Sequence, residues 1–287
     1  MKQIVFEETC NGITIDRIIR DHEYSMPSKH YHEEYEIYYL LEGERYYFIE
    51  QQTYHVKKGS LVFVNRGKIH KTGQAGNSYH DRILIEMKKE PFSSFLSSFG
   101  NLDFNDFFQS HSGILQLDEK GQEYVEKLLF QIMDELSKKS VGYEISVMIS
   151  LAQLIIYALR CHMESTLVPS LSKGTTAKHR KVDEVATYII NHCTSQLSLD
   201  SLAAHFYVSK CYLSRIFKEV TGFTIIEYIA IHRLQKAQYL LIHSDHNISK
   251  ISEMLGFESI TYFERVFKNY MEVSPLKFRK YYKNNIP

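Results

Sequence analysis

From Ile4 to about residue 90 the apolar residues come in short runs: "EIYYLLEG", "RYYFIEQQTYHV", "SLVFVNRG" and "DRILIEM". The runs are rich in Tyr, Ile, Val and Phe, and Gly43, Gly59, Gly67 and the Gly73–Gly76 stretch punctuate them. Many short strands with regular turns predict an antiparallel sandwich or barrel over residues 4–90. The period then changes. In "EYVEKLLFQIMDEL", Val125, Leu128, Leu129, Ile132 and Leu136 fall on one stripe, the 3.6-residue signature of an amphipathic helix. "EISVMISLAQLIIYALRCHM" predicts a second, more apolar helix, so helices occupy 118–163. Their apolar faces need cover, from the strands or from a second copy of the chain. "ESTLVPSLSKGTTAKHR" breaks the pattern with Pro, Ser, Gly and Thr and predicts a linker over 164–177. The remainder reads as nearly all helix.

That C-terminal stretch repeats itself. "LSLDSLAAHFYVSKCYLSRIFKEVTGFT" (197–224) aligns with "HNISKISEMLGFESITYFERVFKNYMEVS" (246–274). Leu199 and Leu202 match Ile248 and Ile251; Ser209, Tyr212, Arg215, Phe217 and Lys218 match Ser259, Tyr262, Arg265, Phe267 and Lys268. The offset is 49 before the turn and 50 after it, so the second turn is one residue longer. Each copy is a short helix, a tight turn and a Ser-started helix, which is helix-turn-helix grammar. Ser209 and Ser259 are good N-caps. Gly256 fits a turn position of positive φ. The second helix of such a motif enters the major groove N-terminal end first. The exposed residues there are Lys210, Cys211, Ser214, Arg215 and Lys218 in one copy, and Ile260, Thr261, Glu264, Arg265 and Lys268 in the other. Arg can read guanine edges bidentately, and Lys can neutralise phosphate. Between the copies, residues 224–243 predict one helix that fixes the distance between two reading heads.

Composition adds three constraints. The 287 residues suggest about two domains. The chain is neutral overall, but residues 175–287 carry +5 and the rest −5, which suits a polyanion partner for the basic half. The four cysteines, Cys10, Cys161, Cys193 and Cys211, are far apart and form no CxxC, which points to a reducing compartment. With no signal-peptide pattern, and no uninterrupted apolar run that reaches the roughly 18 residues needed to span a bilayer, a cytoplasmic protein without membrane partners is expected. No GxGxxG, Walker-type loop or GxSxG occurs, and His22 and His111 stand alone, so no catalytic constellation or cofactor is expected.

The residues "SLAAHFYVSKCYLSRIFKEVTG", "RLQKAQYLL" and "ISKISEMLGFESITYFERVFKNYMEVSPLKFR" resemble the double helix-turn-helix domain of AraC/XylS-type transcription regulators. Two positions depart from that family's pattern: Tyr207 and Glu272 stand where Gly is usual or frequent. Residues 20–90 resemble the cupin barrel that many of its members carry as a sensor. "HYHEEYEIYYLLEG" fits the first cupin pattern with His30, His32, Glu36 and Gly43, and "GSLVFVNRGKIH" fits the second in part, ending on His70. Asn65 replaces the usual Pro and Gln74 the usual Asn.

The resemblance implies an α+β multidomain chain. Residues 1–163 would form an N-terminal antiparallel β-barrel with helices, and 178–287 an all-α domain with helix-turn-helix motifs at 197–222 and 246–271. Strand alternation would put His30, His32 and Glu36 on one face. In metal-binding cupins the positions of His30, His32, Glu36 and His70 are the ligands. In a sensor the same residues, with Tyr38, would hold an effector without metal, and that is the reading adopted. The implied function is a non-enzymatic regulator that binds double-stranded DNA as a homodimer through the 118–163 helices, with RNA polymerase as a further partner and a carbohydrate as effector. A metal-dependent cupin enzyme with a regulatory tail, or an effector-independent activator, are the rivals.

Overall fold

The structure is a computed structural model that describes residues 1–26, 32–90, 92–98, 104–164 and 174–283. These form two compact units, Met1–Arg180 and Lys181–Pro287. The linker expected over 164–177 lies mostly outside the described residues.

The first unit opens with β1 (Lys2–Cys10), β2 (Ile13–Arg20), β3 (Tyr35–Ile49), β4 (Gln52–Lys57), β5 (Ser60–Val64), β6 (His70–Gln74) and β7 (His80–Met87). Two short helices follow, α1 (Phe92–Ser97) and α2 (Phe104–His111), then β8 (Gly113–Gln116), α3 (Glu119–Lys138) and α4 (Tyr143–Glu164). Every strand pair is antiparallel, in the order β1-β2-β7-β3-β5-β8. The second half of β3 leaves this sheet and pairs with β4 and β6 instead. Gly43 makes the crossing, just after a register shift between Leu40 and Glu42. Its φ is +92°, and a Cβ there would sit 2.4 Å from the Tyr79 carbonyl oxygen. The expected barrel is therefore two facing antiparallel sheets sharing one long strand. Among the described residues the pairing does not close into a ring, because β1 and β8 end the path.

Alternation along β3 builds both faces. Tyr35, Ile37, Tyr39 and Leu41 join Ile13, Ile15, Ile83 and Ile85 under the helices. Val125, Leu128, Leu129, Ile132 and Leu136 of α3 and Leu151, Leu154 and Ile155 of α4 complete that core. Fully burying each such side chain contributes about 1.5–3 kcal/mol. α3 starts at Asp118, whose carboxylate accepts from Gly121 N at 2.8 Å. By length and composition α4 could cross a membrane. It also carries Val147, Leu151, Leu154, Ile155 and Ala158 into this core, which is reason enough for its apolar character. The other face of β3 presents Tyr38 and Leu40 to Tyr47, Ile49, Val56, Val62 and Val64 between the sheets.

The second unit contains α6 (Leu199–His205), α7 (Lys210–Thr221), α8 (Ile225–His243), α9 (Ile248–Met254), α10 (Ile260–Met271) and α11 (Pro275–Lys283). The division between units falls inside α5 (Ala177–His192). Caps explain the breaks. Ser198 and Thr224 form capping boxes with Ser201 and Glu227, and Ser209, Asn247 and Ser259 each accept from the first turn of their helix. Ala230, Leu234, Ala237 and Leu241 of α8 pack against Ile251, Leu255, Phe263, Phe267 and Phe278.

The turn hydrogen bonds repeat between copies. Tyr207 N donates to Ala204 O and Val208 N to Ala203 O; Gly256 N donates to Glu253 O and Phe257 N to Ser252 O. Both turns therefore need a left-handed residue, which is Tyr207 (φ 53°) in one and Gly256 (φ 75°) in the other. The ends of the second helices repeat this, with Gly222 (φ 85°) and Glu272 (φ 60°). Each copy thus has one glycine and one strained residue at equivalent places. Tyr207→Gly and Glu272→Gly should each stabilise the chain by about 1 kcal/mol, because only the strain is removed. Tyr207 is 95% exposed, so little packing is lost. Urea midpoints check this, and a lower midpoint for Tyr207→Gly would show that the ring is held by packing.

Candidate nucleic-acid interface and ligand cavity

In α7, Leu213, Ile216 and Phe217 are buried, while Lys210, Cys211, Arg215 and Lys218 are exposed and Ser214 is half-buried. In α10, Phe263, Val266 and Phe267 are buried, while Ile260, Thr261, Glu264, Arg265 and Lys268 are exposed. Each helix thus offers solvent the residues read from its sequence pattern. The arginines match in detail. Arg215 lies 5.9 Å from the ring centroid of Tyr212, and Arg265 lies 5.4 Å from that of Tyr262. A guanidinium held against a ring loses less freedom on meeting a base edge. Ser209 and Ser259 have their hydroxyls committed to the caps. Lys210 pairs with Asp200 at 2.6 Å; an exposed pair of this kind is weak and exchanges readily for phosphate. Arg233, buried on α8, donates from Nε to Cys193 O (2.6 Å) and from Nη2 to Ser195 O (2.8 Å), tying the end of α5 to the central helix.

The sensor residues converge in part. His30 lies outside the described residues. His32 precedes β3 rather than lying on it, so strand alternation is not what aims it. Its Nε2 nevertheless stands 3.5 Å from Glu36 Oε2, and His70 Nε2 stands 3.2 Å from the same oxygen. The His32 and His70 rings meet edge to face at 5.0 Å. His70 Nδ1 contacts Lys68 O at 2.9 Å, which fixes its ring. Tyr47 donates its hydroxyl to Glu36 Oε1. Burial alone would raise the Glu36 carboxyl, but His70, His32 and Tyr47 outweigh it and hold the group well below the usual carboxylate range. Burial pushes His32 down, and Glu36 reverses that, so His32 is raised. Tyr38 shares the inward face of β3, meets Tyr47 edge to face at 5.3 Å, and is raised by burial.

This constellation has two chemistries. As an ion-pair cluster, it is a buried carboxylate that accepts from Tyr47 and has two imidazoles within 3.5 Å of its other oxygen. As a donor set, two imidazole nitrogens and one carboxylate oxygen lie within 4.8 Å of one another, which suits a divalent transition ion. Two residues that line the same inter-sheet space are not marked by any sequence motif: Arg20 on β2 and Arg45 on β3. The signal was parity: Arg45, Tyr47 and Ile49 alternate as one inward face.

Residues 13–155 match the family profile described as AraC-like ligand binding domain, and residues 202–281 match one described as helix-turn-helix domain. Regulatory protein PocR of Salmonella typhimurium is 29% identical over 133 residues, 46% of this chain and 44% of PocR. The uncharacterized HTH-type transcriptional regulator YdeC of Bacillus subtilis is 22% identical over 88% of this chain and 85% of its own length. The match to PocR therefore spans less than half that relative, whereas the match to YdeC spans most of it. The crystal structure of ToxT from Vibrio cholerae O395 aligns over 96% of this chain and 99% of that one, at 14% identity and a TM-score of 0.38.

Proposed function

Since the chain belongs to the AraC family of DNA-binding transcription regulators, with an AraC-like ligand binding domain before its helix-turn-helix domain, we propose that α7 and α10 read two successive major grooves under control of a small molecule held between the sheets. The observation that carries this is the duplicated, Ser-capped helix presenting Arg215 and Arg265 at the same turn over equivalent tyrosines. Lys210, Lys218 and Lys268 contact phosphate; Cys211, Ser214, Ile260, Thr261 and Glu264 face the bases beside the arginines. α8, about 28 Å long at 1.5 Å per residue, spaces the two heads. Arg215→Ala and Arg265→Ala should each weaken binding to cognate DNA by about 1–3 kcal/mol. Titrations on cognate and random DNA test this; equal losses on both would reduce the arginines to phosphate contacts.

The effector, a carbohydrate by family resemblance, enters near His32, Glu36, Tyr38 and His70. It acts by binding one arrangement of the chain better than another, so DNA and effector must change each other's affinity equally. The protein works in the cytoplasm as a homodimer, with RNA polymerase as the further partner. Support for the dimer comes from Ile145, Ile149 and Ile156, which form an exposed apolar stripe on α4. Ile145 and Ile149 also line a groove of about 520 Å³ with Tyr124 of α3. Ile149→Asp should convert dimer to monomer in sedimentation equilibrium; an unchanged mass would remove this face from the interface. The rival metal-dependent enzyme draws on His32, Glu36 and His70. Metal analysis of the purified chain separates the two, since the sensor reading needs no bound ion.

A further inference from the structure

Arg20, Arg45 and Arg82 converge between the two sheets, each buried to 8% exposure or less. With Glu36, Tyr24, Tyr38 and His80 they line one cavity of about 30 Å³. Their partners differ. Arg82 is paired with Asp16. Arg45, only 1% exposed, donates from Nη2 to Tyr24 O at 2.5 Å, while its Nε and Nη1 meet no acceptor among the described residues. Arg20 packs its guanidinium 3.9 Å from the Tyr24 ring centroid, and its Nε likewise meets no acceptor there.

The nearby carboxylates are already engaged. Glu36 takes Tyr47, His32 and His70. Asp81 takes Arg17, at 2.7 and 3.1 Å. Among the described residues, two buried cations therefore face a cavity whose one lining carboxylate, Glu36, is committed to Tyr47, His32 and His70 rather than to either arginine. Burial, and then Arg20, depress Arg45. Burial and Arg45 depress His80 to about 4, so His80 stays neutral and adds no further positive charge. Unpaired buried charge is costly, and such sites persist where a ligand supplies the missing partner.

We propose that this cavity takes the anionic group of the effector, a carboxylate or a phosphate, and that Arg20 and Arg45 hold it. The inference rests on the sensor reading above and narrows its ligand class. Guanidinium N–H groups match carboxylate and phosphate oxygens bidentately. A neutral sugar hydroxyl would satisfy one donor and neutralise nothing. Size agrees: the space holds about two waters, room for a charged head but not for a whole sugar ring. The rest of the effector lies outside this cavity.

The test uses the full chain, its Arg20→Met and Arg45→Met variants, and a Lys58→Met control exposed in the turn after β4. Probes are inorganic phosphate, glucose 6-phosphate, gluconate, citrate and glucose, in thermal unfolding and calorimetry. At least one anion should raise the melting temperature by several degrees, and its affinity should fall at least about 30-fold in both cavity variants and little in the control. Phosphate esters and carboxylates form separate arms, so the response identifies the head group. Glucose binding as well as its phosphate or acid would overturn the proposal and leave the sensor reading standing. Anion binding that needs Arg45 but leaves DNA affinity unchanged would uphold the site and remove the sensor reading. Ligand-free stability gives an independent arm. Arg45→Met should leave the melting temperature unchanged or higher, because a charge awaiting a ligand is removed. A fall of about 10 °C would make Arg45 a structural residue and overturn the proposal.

Discussion

Glu36→Ala should destabilise the sensor unit by about 3–5 kcal/mol, the cost of removing one partner from a buried charged network. The carboxylate is 1% exposed and receives Tyr47, with His70 Nε2 at 3.2 Å and His32 Nε2 at 3.5 Å. Alanine removes the acceptor that those three groups share and leaves a cavity in its place. For a unit of this size the melting transition should fall by about 10 °C. Glu36→Gln keeps the volume and one acceptor, so it should cost less than half as much. pH gives a second readout. The folded carboxyl lies below its ordinary value of 4.5, so its stabilisation is present above that value and is lost as pH falls beneath it. Glu36→Gln should therefore lose less stability than wild type on acidification through that range. A Glu36→Ala chain that melts within 2 °C of wild type would contradict the network, taking about 2–4 °C per kcal/mol as the scale.

The second large effect belongs to the DNA-reading unit. Gly256→Ala should cost on the order of 3 kcal/mol. At φ +75° a Cβ would lie 2.4 Å from Thr194 O and 3.1 Å from Arg233 Nη2. The first is backbone and cannot swing aside. The second belongs to the arginine that ties α5 to α8. The damage should concentrate on α9 and α10, so specific DNA affinity falls while the sensor transition stays in place. The equivalent position in the first copy gives the opposite sign, since Tyr207→Gly relieves strain there. Urea unfolding of the two variants side by side checks the pair. A Gly256→Ala chain as stable as wild type would mean that the turn relaxes away from Thr194.

The helical unit was legible because its information is local. Caps at Ser209 and Ser259, the stripes Leu213–Ile216–Phe217 and Phe263–Val266–Phe267, and the one-residue difference between turns all stand in the sequence. Duplication doubled the signal. The sheet unit was less legible because its information is long-range. Nothing local to "EIYYLLEGERYYFIE" says that one strand serves two sheets; the shift after Leu40 and the close approach of Tyr79 to Gly43 decide it. α1, α2 and β8 are too short for periodicity to expose. Arg20 and Arg45 were passed over because arginine on a strand ordinarily marks the solvent face; here burial reverses that, and for Arg45 the one local sign is its parity with Tyr47 and Ile49. The cupin spacing named His32, Glu36 and His70, which the structure brings together, but His32 joins from the segment before β3 rather than by strand alternation.

Both helices are expected to read DNA sequence-specifically. The most direct measurement is a gel shift of the full chain on its own upstream region, with random competitor DNA, a salt series and the Arg265→Ala variant. The expected shift survives competitor, weakens linearly in log salt as phosphate contacts require, and weakens further with Arg265→Ala by about 1–3 kcal/mol. A complex that competitor removes and that Arg265→Ala leaves unchanged would contradict that expectation.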